Sequence, residues 1–260
     1  MDRLELFLGR LDLFLLLFSR WTGLLATAPV FSHRLIPVQV RVALAVVFSL
    51  IALPLFAGEP ALAFPGGLAL AVIRELLTGM LVGFVASLLF SAIAFAGELL
   101  DIDLGFAVVN VLDPLSSQPV PMLGSLLQIL ALLFYLGMDG HHSLLLALLE
   151  SYQAVPIAGL SPGPDFTQHL VRAAGEIFRA GFLLASPVLA ALFLATVALA
   201  LVGRAVPQMN LFIVGLPAKT GAGLLLLALL IPVYTTAFAG LFDQIHRQVL
   251  DSLPLMAPGP

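Results

Sequence analysis

Uncharged runs of the length of a membrane helix set the pattern of this chain. Leu13–Val30 is apolar apart from Arg20 and a few small hydroxyl residues, and Val42–Gly58 carries no charge but contains Pro54. Leu76–Gly97 is a clean run of 22, Leu123–Met138 of 16 (25 if counted from Pro114), Ala180–Gly203 of 24 and Thr220–Phe242 of 23. About 20 apolar residues cross a hydrocarbon core, so three runs suffice by themselves and three are marginal. Leu and Ala dominate and period-2 alternation is absent, which argues against strands and against a transmembrane barrel. The pattern predicts an all-α, polytopic membrane protein with about six hydrophobic, partly kinked helices.

The connecting pieces are amphiphilic. Ala61–Ile73 follows Gly58-Glu59-Pro60 and holds Pro65-Gly66-Gly67, so it reads as a re-entrant or interfacial segment. Residues 99–118 contain recurring acids, a short apolar stretch and the stop signal Asp113-Pro114. Tyr152–Phe166, with Pro156, Pro162 and Pro164, reads as a loop. Residues 1–250 are taken as a single helical domain, and 251–260, with three prolines, as a disordered tail. The small-x-small triplet Ala26-Thr27-Ala28 resembles a signal-peptidase site. Asp12 and Arg20 interrupt the apolar run before it and Pro29 follows it, so the segment is read as a retained first helix.

Composition agrees with a membrane setting. Apolar residues make up 61% and charged residues 10%, too few to clothe a soluble fold of 260 residues. Mean hydropathy is +1.12. A net charge of −4 and 11 scattered cations argue against nucleic acid. The absence of cysteine excludes disulfides and thiolate chemistry. Positive-inside counting favours Arg34/Arg41 and Arg204/Lys219 on the cytoplasmic side, although any re-entrant segment reverses the parity.

Candidate chemistry is sparse. Gly79, Gly83, Ser87 and Ser91 recur every four residues, a small-residue face that permits close helix approach, or a product of a Gly- and Ala-rich composition. Pro187 and Pro232 lie inside their runs and fit either broken helices or simple bends. Glu98, Asp101 and Asp103 read as an acidic cation site or as a wet boundary between helices. Asp139-Gly140-His141-His142 could ligate a metal only from irregular backbone, because neighbouring helical residues point about 100° apart; a turn is the favoured reading, and no metal or cofactor is assigned. Phosphate-loop, metalloprotease and serine-hydrolase spacings all fail, so no catalytic site is assigned, and a membrane-embedded enzyme using the acids with His141 and His142 lacks a convincing set of ligands. Arg20, in the middle of an apolar run, is expensive in hydrocarbon and reads as buried or facing a subunit. Arg74-Glu75 reads as the snorkelling start of the third span.

Several features together resemble the FliR family, the R subunit of the flagellar type III secretion export gate, which is related to the T-type subunits of injectisomes. The likeness runs from about Phe14 to Phe242. It rests on Arg20, Gly23 and Pro29; Pro37 and Arg41; Arg74, Glu75, Gly79 and Gly83; Glu98, Asp101 and Gly105 leading to Asn110, Asp113 and Pro114; Gly140-His141; Pro187; and above all Arg204, Pro207, Asn210, Phe212, Gly215, Pro217 and Lys219. The resemblance implies a non-enzymatic subunit of helical hairpins in a hetero-oligomeric channel of the bacterial inner membrane, at the flagellar basal body. It implies five P, four Q and one R subunit, B-type and A-type export proteins as further partners, and secreted flagellar proteins as passing substrates. It also implies that the stretch carrying Phe106, Val108, Val109 and Val111 plugs the channel. An injectisome subunit, or a small-molecule or ion transporter, is the alternative.

Overall fold

A computed structural model describes residues 11–33, 36–56, 66–106, 121–206, 208 and 210–257. Among these residues there are seven α-helices and no strand: α1 Leu11–Thr27, α2 Val38–Ala52, α3 Leu68–Leu104, α4 Met122–Gly137, α5 Gly140–Ala154, α6 Pro164–Ala205 and α7 Leu211–Ser252. Leu- and Ala-rich segments favour helix intrinsically, and in hydrocarbon a helix satisfies its backbone without outside partners. Four helical segments are long and apolar enough to span: Val38–Phe56, Leu68–Leu104, Pro164–Ala205 and Ile213–Met256. The broken pair α4 and α5 makes a fifth if counted as one span. All six predicted runs lie largely on helices where they are described, and the described part of α1 is 17 residues long.

Helix lengths exceed the apolar runs that announced them. The 42 residues of α6 and of α7 correspond to about 63 Å at ~1.5 Å per residue, twice a ~30 Å hydrocarbon core. The prolines do not break them: α6 continues through Pro187, and α7 through Pro217 and Pro232. Pro187 has no N–H for the Leu183 carbonyl, and the Ser186 hydroxyl donates to that carbonyl instead, at 2.9 Å. At Pro54, by contrast, α2 tightens into a 3₁₀ turn, Leu53–Phe56.

Three expectations are corrected. Residues 68–73, part of the segment read as re-entrant or interfacial, are not a separate element but the first turns of α3, while residues 57–65 lie outside the described chain. The loop is shorter than Tyr152–Phe166, because α5 extends to Ala154 and α6 starts at Pro164. The segment expected as a disordered tail is ordered to Ala257. Leu253, before the first of the tail's prolines, and Met256, between the first two, are buried, and the Ser161 amide donates to the Met256 carbonyl at 2.9 Å.

The chain divides into two compact units, and α3, α6 and α7 each contribute to both. The first comprises Met1–Leu88, Asp139–Ala173 and Asp243–Pro260. Its apolar clusters join Leu13, Leu17, Ala52 and Tyr152, and Val155, Phe166 and Met256. The second comprises Leu89–Met138 and Ala174–Phe242. Its core is aromatic: Tyr135 meets Phe90 and Phe242 edge-on, with centroids 5.3 and 5.0 Å apart.

Candidate functional site

The first unit is organised around a buried charge pair. Arg20, the tenth residue of α1, and Glu75, the eighth of α3, have fully buried side chains. The guanidinium grips the carboxylate with two bonds, Nε to Oε2 at 2.7 Å and Nη2 to Oε1 at 2.8 Å. It also donates through Nη1 to Ser151 Oγ and through Nη2 to the Val155 carbonyl, each at 3.1 Å, and lies 4.0 Å from the centroid of the Tyr152 ring. Glu75 Oε1 accepts a further bond from the Ala158 amide at 2.8 Å. Ala158 has φ +62, a left-handed conformation that few non-glycine residues adopt, and its carbonyl accepts from Arg74 at 3.2 Å. The pair thus fastens α1, α3, the end of α5 and the following loop at one point. Glu75 is enclosed, not at an open helix start, and Arg74 reaches the loop backbone. A fork-to-carboxylate pair with its remaining groups hydrogen-bonded is the arrangement in which a buried ion pair survives the cost of leaving water.

Beside it, α1 and α3 meet backbone to backbone. A Cβ on Gly79 would run into the Arg20 carbonyl, and one on Gly23 into the Leu76 carbonyl. A Cβ on Gly83 would strike the Thr27 hydroxyl, which itself donates to the Met80 carbonyl at 3.0 Å. The Gly79 and Gly83 face therefore lies on α1. Ser87 is half-buried with its hydroxyl on the Phe84 carbonyl at 2.7 Å, and Ser91 is exposed.

In the second unit the three acids of α3 part company. Asp101 is buried and caps α4 from another helix: Oδ1 accepts from the Leu123 amide at 3.0 Å and Oδ2 from Gly124 at 3.2 Å. The residue before α4, Pro121, gives no side-chain cap, so Asp101 supplies what the first turn lacks. Gly97 makes room, since a Cβ there would collide with Gly124 Cα. Asp103 pairs with Lys219 of α7 at 2.7 Å, and Thr220 donates to the Leu104 carbonyl at 2.9 Å. Gly105 then ends α3 with φ +85, the left-handed step that glycine takes without steric cost. Phe106 beyond it is half-buried, and Glu98 is exposed.

Of the other predicted residues, Asn210 precedes α7, and its side chain accepts from the Ile213 amide at 3.4 Å. Arg204 and Pro217 are exposed and Gly215 is buried. Val108, Val109, Asn110, Val111, Asp113, Pro114 and Pro207 lie outside the described residues, as does the side chain of Phe212. Ser151, Tyr152, Val155 and Ala158 escaped sequence reading, for no spacing ties them to residue 20.

The geometry can be set beside known proteins. Residues 11–245 match the model of the family described as bacterial export proteins, family 1. The chain is 31% identical to flagellar biosynthetic protein FliR of Bacillus subtilis over 246 residues, covering 94% of this chain and 95% of the relative. It is 29% identical to the Escherichia coli protein of the same name over 255 residues, 97% and 98% of the two chains. It is also 31% identical to Yop proteins translocation protein T of Yersinia pestis over 248 residues, 94% and 93% of the two.

Proposed function

The chain belongs to the bacterial export proteins, family 1, and from that premise we propose that it is a non-enzymatic core subunit of the flagellar type III protein export gate. It helps to form and to close a protein-conducting channel in the bacterial inner membrane at the flagellar basal body, and is required for flagellum assembly. Its partners are P and Q subunits, five and four to one copy of this chain, with B-type and A-type export proteins. Secreted flagellar proteins are the passing substrates. The observation that carries the reading is the family match over residues 11–245.

Two physical features support it. Only 17% of the apolar window of Val38–Phe56 is buried within the chain, and 22% of those of Pro164–Ala205 and Ile213–Met256, against 61% for Leu68–Leu104. Side chains such as Ile51, Phe193, Leu201 and Ile213 are more than half exposed, surface for lipid or sister subunits. The stretch proposed as the plug, with Phe106, Val108, Val109 and Val111, leaves α3 at a base held by Asp103–Lys219 and Thr220. Apolar side chains in a constriction stop ions by excluding water.

The Yersinia relative, 31% identical like the Bacillus one, supports an injectisome subunit as a second reading. One experiment bears on both. The chain is expressed in a flagellar strain lacking its own R subunit, and motility and co-purification with P and Q subunits are scored. Restored motility with a single copy per complex in native mass spectrometry is the expected result. A stable homo-oligomer free of P and Q would overturn the proposal, and assembly only with injectisome subunits would transfer it to the second reading.

A further inference from the structure

We propose that the turn opening α5 is a binding site for a divalent transition-metal ion of the zinc type, held by Asp139, His141 and His142. One ligand atom from each of the three lies within 4.8 Å of the others. The objection from helical geometry, that adjacent histidines diverge, is met by the rings themselves, which lie together although both residues belong to the first turn of α5. Asp139 has φ 56 and stands before the first helical residue, Gly140, so its carboxylate swings back over the first turn. The His142 amide donates to the Asp139 carbonyl at 2.9 Å, and the two imidazole rings lie with centroids 4.1 Å apart.

The side chains are not spent on the helix. Aspartate at an N-cap ordinarily accepts a first-turn amide, yet Asp139 makes no such cap. Its Oδ1 instead lies 3.2 Å from His142 Nδ1. Two ligands each about 2.05 Å from one ion at a tetrahedral angle are about 3.3 Å apart, so this pair already has the bite of a chelate. His141 Nδ1 is shielded from solvent and has no hydrogen-bond partner among the described residues. A buried imidazole nitrogen left unpaired is a cost that a bound cation removes.

Two imidazoles and one carboxylate suit zinc, nickel or copper, not calcium or magnesium, which take oxygen ligands. Three protein ligands leave a fourth position for water or an incoming carboxylate. The positive end of the α5 dipole opposes a cation here, and the Asp139 charge compensates it. Bound metal would staple Asp139 to the first turn of α5.

The test uses the complete chain in detergent with whatever subunits co-purify, titrated with Zn²⁺ against a chromophoric chelator. One ion per chain is expected, with affinity falling about tenfold or more in His142→Ala and Asp139→Gly. Asp139→Gly suits the left-handed backbone better than aspartate does, so it folds at least as well without metal while binding zinc more weakly. Unchanged zinc affinity in Asp139→Gly and His142→Ala, or loss of binding in His169→Ala or His246→Ala instead, would overturn the proposal.

Discussion

Arg20 and Lys219 each have a carboxylate partner at 2.7 Å, and the two pairs are opposites in how they are housed. The side chains of Arg20 and Glu75 are wholly enclosed, whereas those of Lys219 and Asp103 are 15% and 31% exposed. Equal distance therefore does not mean equal weight. The enclosed pair holds four stretches of chain, and neither charge has water to fall back on. The half-open pair exchanges its partner for water at little cost. In the first unit charge serves as a lock, and in the second it sits at the foot of the stretch proposed to open and close.

The hardest test of that contrast removes one half of the lock. Glu75→Ala leaves the guanidinium buried without its counter-charge and should cost about 3–5 kcal/mol, read as thermal unfolding of the solubilised complex. The double variant Arg20→Met/Glu75→Leu should recover most of that loss, and a double as unstable as the single would show that the charges themselves are indispensable. Next comes the seam beside the pair. Gly79→Ala drives a methyl at the Arg20 carbonyl and should cost about 1–3 kcal/mol, more than Gly83→Ala, whose first neighbour is the movable Thr27 hydroxyl. Equal complex yields for these variants and for Leu81→Ile would remove the seam from the account.

The second unit should respond more gently. Asp101→Ala uncovers the Leu123 and Gly124 amides and should cost about 1–2 kcal/mol, with faster hydrogen exchange confined to the first turn of α4. Lys219→Met should cost less than about 1 kcal/mol, as part-exposed pairs do. Its effect should appear instead as increased ion leakage through the assembled gate when secretion is idle. A large stability loss with no leak would make this pair a second lock and erase the contrast.

Sequence alone carried the helical class, the six apolar runs and the suspicion attached to Arg20, because a charge within hydrocarbon announces its own expense. It could not supply the partner. Glu75 lies 55 residues away and sits next to Arg74, so the two read as the edge of a span. Asp101, Asp103 and Glu98 looked like one cluster, yet successive turns of α3 send them to an amide pair, a lysine and solvent. The length of α6 was hidden because hydropathy counts the uncharged part from Ala180, while Asp165–Arg179 is helical but amphipathic. Prolines 187 and 232 suggested breaks, and at Pro187 the neighbouring serine takes over the orphaned carbonyl.

The lock also has a chronology. Ribosomes add about 5–20 residues per second, so the 55 residues between Arg20 and Glu75 take roughly 3 to 11 s to make, and Ser151 follows 131 residues after Arg20. For that interval the first helix carries a guanidinium whose counter-ion has not yet been made. With that charge unpaired, it is a poor passenger for hydrocarbon on its own. Nascent α1 has to wait at the interface or in the shelter of the insertion machinery until α3 arrives. Birth order, as much as affinity, then governs whether the chain enters its membrane correctly.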